Sequence, residues 1–233
     1  MDTKETCNVK PWILVGESAA PDGTRLTLQS RDGAFLLLAD GKPLMGSDEH
    51  GSEDALATLV CSRIKGVARP RVLVGGLGMG FTLRAALDAL PSTATVVVAE
   101  LVPAVVSWNR GPLGPLAGQP LDDSRVTVQE TDVAVAVRSN PGTFDAVLLD
   151  VDNGSDALTT STNGWLYSDR GVDAMRTALA PAGILAMWLA SEDRRFARRL
   201  RQRGFTVDVE HVRGRMKRGP RHSVLLAYQS VGR

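Results

Sequence analysis

The chain has 233 residues, 43% hydrophobic and 23% charged, which suits one sizeable core and excludes a disordered chain. Lys and Arg number 27 against 26 Asp and Glu, so the net charge of +1 does not describe a generally basic nucleic-acid binder. No apolar run reaches the roughly 18 residues of a membrane helix, the opening MDTKETCNVKPW lacks the apolar stretch of a secretory signal, and Cys7 and Cys61 alone make neither a disulfide framework nor a four-ligand zinc site.

A reducing cytoplasm is the expected compartment. Residues 1–20 read as an irregular arm. Two short β-like runs follow, Arg25–Ser30 and Ala34–Ala39, split by Arg31, Asp32 and Gly33. Asp40-Gly41 supplies a second hairpin-type turn. An acidic stretch from Ser47 to Asp54 opens an apolar helical pattern over Ala55–Ile64. Ser52 or Ser47 is the expected cap, with acids at the positive end of the helix.

From Arg71 strands and helices alternate. Strands are expected at Arg71–Val74, Thr95–Ala99, Arg125–Gln129, Phe144–Leu149 and Ile184–Leu189. Helices are expected at Phe81–Leu90, Pro103–Asn109, Val133–Arg138, Asp169–Leu179 and Phe196–Arg203. Pro181-Ala182-Gly183 reads as a turn. Alternating β and α units imply a parallel, doubly wound Rossmann-like sheet with helices on both faces. Phe205–Val212 and Ser223–Gln229 have no helix between them and should pair antiparallel. The expected division is 1–66 for arm, β-hairpin element and first helix, and 67–233 for a nucleotide-binding catalytic domain.

Gly75, Gly76, Gly78 and Gly80 lie in a loop directly after a strand and before a helix. Glycines there let a ligand approach the backbone, and helix-start N–H groups favour negative or polar ligand atoms. Glu100 ends the next strand, at the spacing of a carboxylate that binds ribose hydroxyls. Asp132 follows the third strand, as a contact for an adenine amino group, an N-cap for the helix at Val133, or both. Asp150 ends the apolar run Ala146–Leu149. All these positions lie at carboxyl ends of strands, where open α/β sheets bind ligands.

The order of glycine loop, Glu100, Asp132, Asp150 and terminal hairpin resembles the class I S-adenosylmethionine-dependent methyltransferase-like fold. Within it the chain is most similar to the spermidine synthase (polyamine aminopropyltransferase) family, over about residues 24–229. The resemblance rests on Ala34–Gly41, on Asp48-Glu49 with Glu53-Asp54, on Pro70–Gly80 with Glu100, and on the run from Leu149 to Tyr167. It implies aminopropyl transfer from decarboxylated S-adenosylmethionine to an amine such as putrescine. Glu100 would hold the ribose and Asp132 the adenine, with Val133 beside it. Asp150 would be the proton acceptor, and no metal is needed. Asp152, Asp156, Asp48, Glu49, Glu53 and Asp54 are candidates for a second anionic point that holds the amine, and Trp165 and Tyr167 for a lid over it. The family's habit also implies a homo-oligomer.

The sequence departs from the family at three places. Gly78 stands where the glycine loop normally carries an aspartate. Asp150-Val151-Asp152-Asn153-Gly154 lacks the usual second aspartate spacing and proline. Ser52-Glu53-Asp54 replaces a Tyr-His-Glu triplet. Two other readings therefore stand beside the first. One is a methyltransferase that uses S-adenosylmethionine itself, its carboxylate held by the loop amides. The other is a nucleotide-binding protein without turnover. Arginines crowd 194–203 and 213–221; a solvated face is the expected role, with a polyanion contact as the alternative. His50, His211 and His222 lack metal-ligand spacing, and Trp108 and Trp188 read as core or pocket wall.

Overall fold

The computed structural model describes residues 10–151, 164–213 and 221–229. The N-terminal part is a four-stranded antiparallel sheet, β1 (Ile13–Ala19), β2 (Arg25–Arg31), β3 (Ala34–Ala39) and β4 (Lys42–Gly46), paired in chain order. Two-residue turns join β2 to β3 and β3 to β4. Asp32 and Gly33 have φ of 51° and 85°, Asp40 and Gly41 of 48° and 76°, the double positive φ of a type I′ hairpin. The arm expected to be irregular thus contains a strand, and the expected hairpin has a partner on each side.

Helix α1 (Gly51–Arg63) follows. It starts earlier than its apolar pattern suggests, and neither serine caps it. The residue before its first turn is His50, which makes no side-chain cap. The Ser47 hydroxyl instead accepts from the Phe35 amide, and Ser52 donates to Glu53. Both serines find tertiary or neighbouring partners that a cap rule does not foresee.

The second sheet has seven strands: β5 (Arg71–Gly75), β6 (Thr95–Glu100), β7 (Val126–Glu130), β8 (Phe144–Leu149), β9 (Leu179–Leu189), β10 (Phe205–Arg213) and β11 (Arg221–Gln229). Their spatial order is β10-β11-β9-β8-β5-β6-β7. Strands β5 to β9 pair in parallel, while β11 runs against both β9 and β10. This is the expected doubly wound sheet with its terminal hairpin. One expectation fails locally: Pro181-Ala182-Gly183 is not a turn between elements. Strand β9 runs through it with a register irregularity, and Ala182 absorbs the bend at φ 62°.

Helices α2 (Phe81–Ala89), α3 (Pro103–Arg110), α4 (Val133–Arg138), α5 (Asp169–Ala178) and α6 (Arg194–Gln202) connect the strands. Side chains alternate along each strand between two cores. Val72, Val74, Ala146, Leu148, Ile184 and Ala186 join the side of α1, α2 and α3. Leu73, Val147, Leu149, Leu185 and Met187 join the side of α4, α5 and α6. Leu26, Leu28 and Leu37 of the small sheet belong to the first of these cores, so the N-terminal sheet sits over the same face as α1.

Among the crowded arginines, Arg199 and Arg203 pair with Asp169, Arg203 also with Asp173, and Arg201 donates to the Val207 carbonyl. These side chains tie α6 to its neighbours. Among the described residues no helix is long and apolar enough to cross a membrane.

Candidate functional site

A cavity of about 310 Å³ opens where the carboxyl ends of β5, β6 and β8 meet the underside of the small sheet. This is the crevice that open α/β sheets use for ligands. It gathers Gly76, Gly78, Glu100, Asp132, Val133, Asp150 and Glu53 from the sequence-derived set. Gly75 lies beneath the floor, where a Cβ would meet Val133 Cγ2 at 2.6 Å and Leu149 Cδ2 at 2.8 Å. Gly80 stands before α2 with φ 85°. Three other candidates lie elsewhere. Asp54 is not in the cavity wall and bonds His50 Nδ1 at 2.8 Å. Tyr167 is packed edge-on against Phe196, at 4.8 Å between centroids, in the core of the opposite face, and is not in the cavity wall. Trp165, the other lid candidate, lies beneath the Arg138 guanidinium and is not in the cavity wall. Asp152 and Asp156 lie outside the described residues.

The glycine loop is held from three sides. The Gly76 amide donates to the Ala99 carbonyl, and the Leu77 amide donates to Glu100 Oε2 at 2.9 Å. Asn109 Nδ2 donates to the Gly78 carbonyl at 2.8 Å. Gly76 allows no other residue: its φ is 86°, and a Cβ would lie 2.3 Å from the Asp150 carbonyl oxygen.

Glu100 is 7% exposed and accepts a second amide, from Val102, on Oε1 at 2.8 Å. It therefore fastens the loop to the end of β6. Burial pushes its carboxyl above the usual range, and the amides of Val102, Leu77 and Leu101 oppose that shift. An ionised carboxylate offers about four lone-pair sites, so these amides leave acceptor capacity for a ligand hydroxyl. Asp132 caps α4, its Oδ1 accepting from Ala134 at 2.7 Å, while lining the cavity as well. The capping reading and a cavity position hold together.

Asp150 follows the end of β8. Its Oδ2 accepts a 2.6 Å hydrogen bond from the Thr82 hydroxyl. Thr82 is buried in the first turn of α2 and did not stand out in the sequence. Its position two residues past the last loop glycine was the available signal. Glu53 is 6% exposed and accepts from Ser52 at 2.6 Å. Burial raises its carboxyl, against the Ser52 hydroxyl and the nearby His50.

The small sheet closes the cavity with Leu26, Leu37, Leu44 and Met45. Met45 reaches over Gly78: a Cβ there would lie 3.1 Å from Met45 Cε and 3.2 Å from Sδ. Glu49, a candidate for the second anionic point, completes the wall with Trp188, which reads as pocket wall, and with His222, which the sequence does not single out. Among the described lining residues there are five carboxylates, Glu49, Glu53, Glu100, Asp132 and Asp150, and neither Lys nor Arg. The described residues contain no cluster of metal-ligating side chains.

Solved structures match this fold. A spermidine synthase in complex with the transition-state analogue AdoDATO superposes with a TM-score of 0.71 over 94% of this chain and 73% of that one. A spermidine synthase from Thermotoga maritima gives 0.72 over 94% and 74%. A probable spermidine synthase from Corynebacterium glutamicum ATCC 13032 gives 0.61 over 94% and 81%. The chain has the spermidine synthase fold. Sequence identity to each is 18%, so the likeness is one of fold. No protein-family model and no curated protein matches the sequence.

Proposed function

We propose that the chain is a transferase that moves an aminopropyl group from decarboxylated S-adenosylmethionine to an amine. One observation carries this reading: five acidic residues line the cavity, with no Lys or Arg among its described lining residues. The decarboxylated nucleotide and a protonated amine are both cations. Such a cavity concentrates them and repels an added carboxylate. The amides of Gly76 and Leu77, which would otherwise serve a nucleotide carboxylate, are already bonded to Ala99 and Glu100.

Glu100 would accept from the ribose hydroxyls and Asp132 from the adenine amino group. Val133, Leu101 and Val102 would flank the base with apolar surface. The acceptor nitrogen loses its proton to Asp150, whose carboxylate Thr82 orients. Its lone pair then attacks the carbon next to sulfur. The C–S bond breaks, sulfur keeps the electron pair, and methylthioadenosine leaves. The sulfonium is already a good leaving group, so positioning supplies much of the rate. A fold shared with a synthase that binds a transition-state analogue agrees with this reading.

A second reading, methyl transfer from S-adenosylmethionine, draws on Met45 and Gly78. They put an apolar thioether where the family's loop aspartate would meet the aminopropyl ammonium. Release of methylthioadenosine separates the two, because methyl transfer leaves S-adenosylhomocysteine. With the decarboxylated nucleotide and putrescine, wild type is expected to release methylthioadenosine. Asp150→Asn should lower that rate by about 10²- to 10⁴-fold while still binding nucleotide. Methylation products, or turnover that ignores Asp150→Asn, would refute the aminopropyl reading.

A further inference from the structure

Asn109 has no part in the proposed chemistry, yet it touches the glycine loop at two points. It lies on the last turn of α3 and is 1% exposed. Its Nδ2 donates to the Val105 carbonyl at 2.9 Å, one turn back on its own helix, and to the Gly78 carbonyl at 2.8 Å. With nitrogen and oxygen exchanged, two carbonyl oxygens would face an acceptor, so Nδ2 is the end that faces them. The same carboxamide lies against Gly80, where a Cβ would be 2.9 Å from Oδ1. Oδ1 has no hydrogen-bond partner among the described residues. A buried amide with one end unpaired is costly, and asparagine is a poor helix former. The helix alone gives no reason for it; the loop does.

The loop needs a fastening of this kind. Gly76, Gly78 and Gly80 all have positive φ, and three glycines in five residues leave the peptides between them free to turn over. Three loop amides are tied down: Gly76 to the Ala99 carbonyl, Leu77 to Glu100, and Gly80 to the Leu77 carbonyl. The amides of Gly78 and Met79 have no partner among the described residues. The Gly78–Met79 peptide is therefore held through the Gly78 carbonyl, by Asn109. Gly78 lines the cavity, whereas Asn109 is not in its wall and acts only through the loop. The base of this fastening is firm. Gly16 of β1 packs so closely on Trp108, the neighbour of Asn109, that a Cβ would lie 2.4 Å from the indole Nε1.

We propose that Asn109 is a positioning residue, which presets the Gly78–Met79 peptide so that the loop meets the nucleotide already in its binding form. This rests on the aminopropyl-transfer reading of the same cavity. A loop released from Asn109 binds with an affinity reduced by the fraction of time it spends in that form. The effect falls on nucleotide binding and leaves proton transfer to Asp150, which Thr82 orients from α2.

Asn109→Ser separates the two bonds. A helical serine hydroxyl reaches the carbonyl four residues back, here Val105, and falls short of Gly78. Calorimetric binding of decarboxylated S-adenosylmethionine should weaken about five- to tenfold, the worth of one hydrogen bond, while kcat with putrescine at saturating nucleotide stays within about twofold. Without ligand, hydrogen exchange of the Gly80 amide should speed up by about the same factor relative to the β5 amides, which a general loss of stability would not produce. Unchanged affinity, unchanged Gly80 exchange, or a loss confined to kcat would overturn the proposal. If wild type does not bind the nucleotide, the aminopropyl reading fails instead, and Gly80 exchange in the ligand-free variant decides the role of Asn109. If Asn109→Ser does not fold, wild type decides: relative to the β5 amides, a preset loop protects Gly80 equally with and without nucleotide, and protection that needs nucleotide would refute the presetting.

Discussion

The Thr82 hydroxyl donates to Asp150 Oδ2 at 2.6 Å and joins the first turn of α2 to the end of β8, 68 residues away. The bond fixes one carboxylate oxygen, and with it the plane of the group that would take the amine proton. Thr82→Val keeps shape and removes the donor. It should lower kcat about tenfold, the worth of a hydrogen bond to a charged group, with nucleotide affinity retained. Thr82→Ser should stay near wild type. Steady-state kinetics beside equilibrium nucleotide binding checks this, and a parallel loss of binding in Thr82→Val would assign Thr82 to loop stability.

Met45 and Gly78 form a second coupled pair. Gly78 has φ 52°, a region that an aspartate tolerates better than most residues. The obstacle is Met45, 3.1 Å from the site of a Cβ. Gly78→Asp alone should weaken nucleotide binding about tenfold through overpacking. Adding Met45→Ala should restore it and favour the decarboxylated nucleotide further. A double variant no better than the single one would show that the crowding is not the cause.

Gly76→Ala should be far more severe. Its Cβ would meet a backbone oxygen at 2.3 Å, at a φ of 86°. The loop cannot yield without straining the Gly76–Ala99 bond, nor Asp150 without straining the bond from its amide to the Gly75 carbonyl. A loss of about 2 kcal/mol or more is expected from denaturant unfolding. A fully stable Gly76→Ala protein would contradict the described loop.

Burial raises the carboxyls of Glu53 and Glu100. Unfolded, both titrate near the ordinary value of about 4.3. Between that value and the raised one, the folded chain binds more protons than the unfolded chain. Stability from these groups is therefore greatest at low pH and is lost as pH rises through that window. Asp123, held down to about 2 by Arg125, acts below it and in the opposite sense. Glu53→Gln removes one titration and keeps an acceptor for Ser52. Its stability should decline less than wild type as pH rises above about 4.3, in denaturant unfolding across pH. Parallel wild-type and variant curves would contradict the burial of Glu53.

The parallel sheet and its terminal hairpin were legible because strand periodicity, turn residues and helix patterns agree from Arg71 onward. The glycine loop, Glu100, Asp132 and Asp150 were legible because each follows a strand. Strand β1 was not: Ile13, Leu14 and Val15 lie exposed on an edge, so they show no alternation. Strand β4 is five residues long and carries Pro43, which strand rules discount. Thr82 meets Asp150, and Trp188 meets His222, only through the sheet order, and Met45 meets Gly78 only through the packing of the small sheet. Nothing local in the sequence shows that Tyr167 packs on Phe196.

The most direct test of the acidic cavity is its choice of nucleotide. Paired calorimetric titrations would compare S-adenosylmethionine with its decarboxylated form. The described carboxylates predict at least about tenfold tighter binding of the decarboxylated form, with a smaller difference at high salt. Equal or tighter binding of S-adenosylmethionine would contradict the account and move the chain to the methyl-transfer reading.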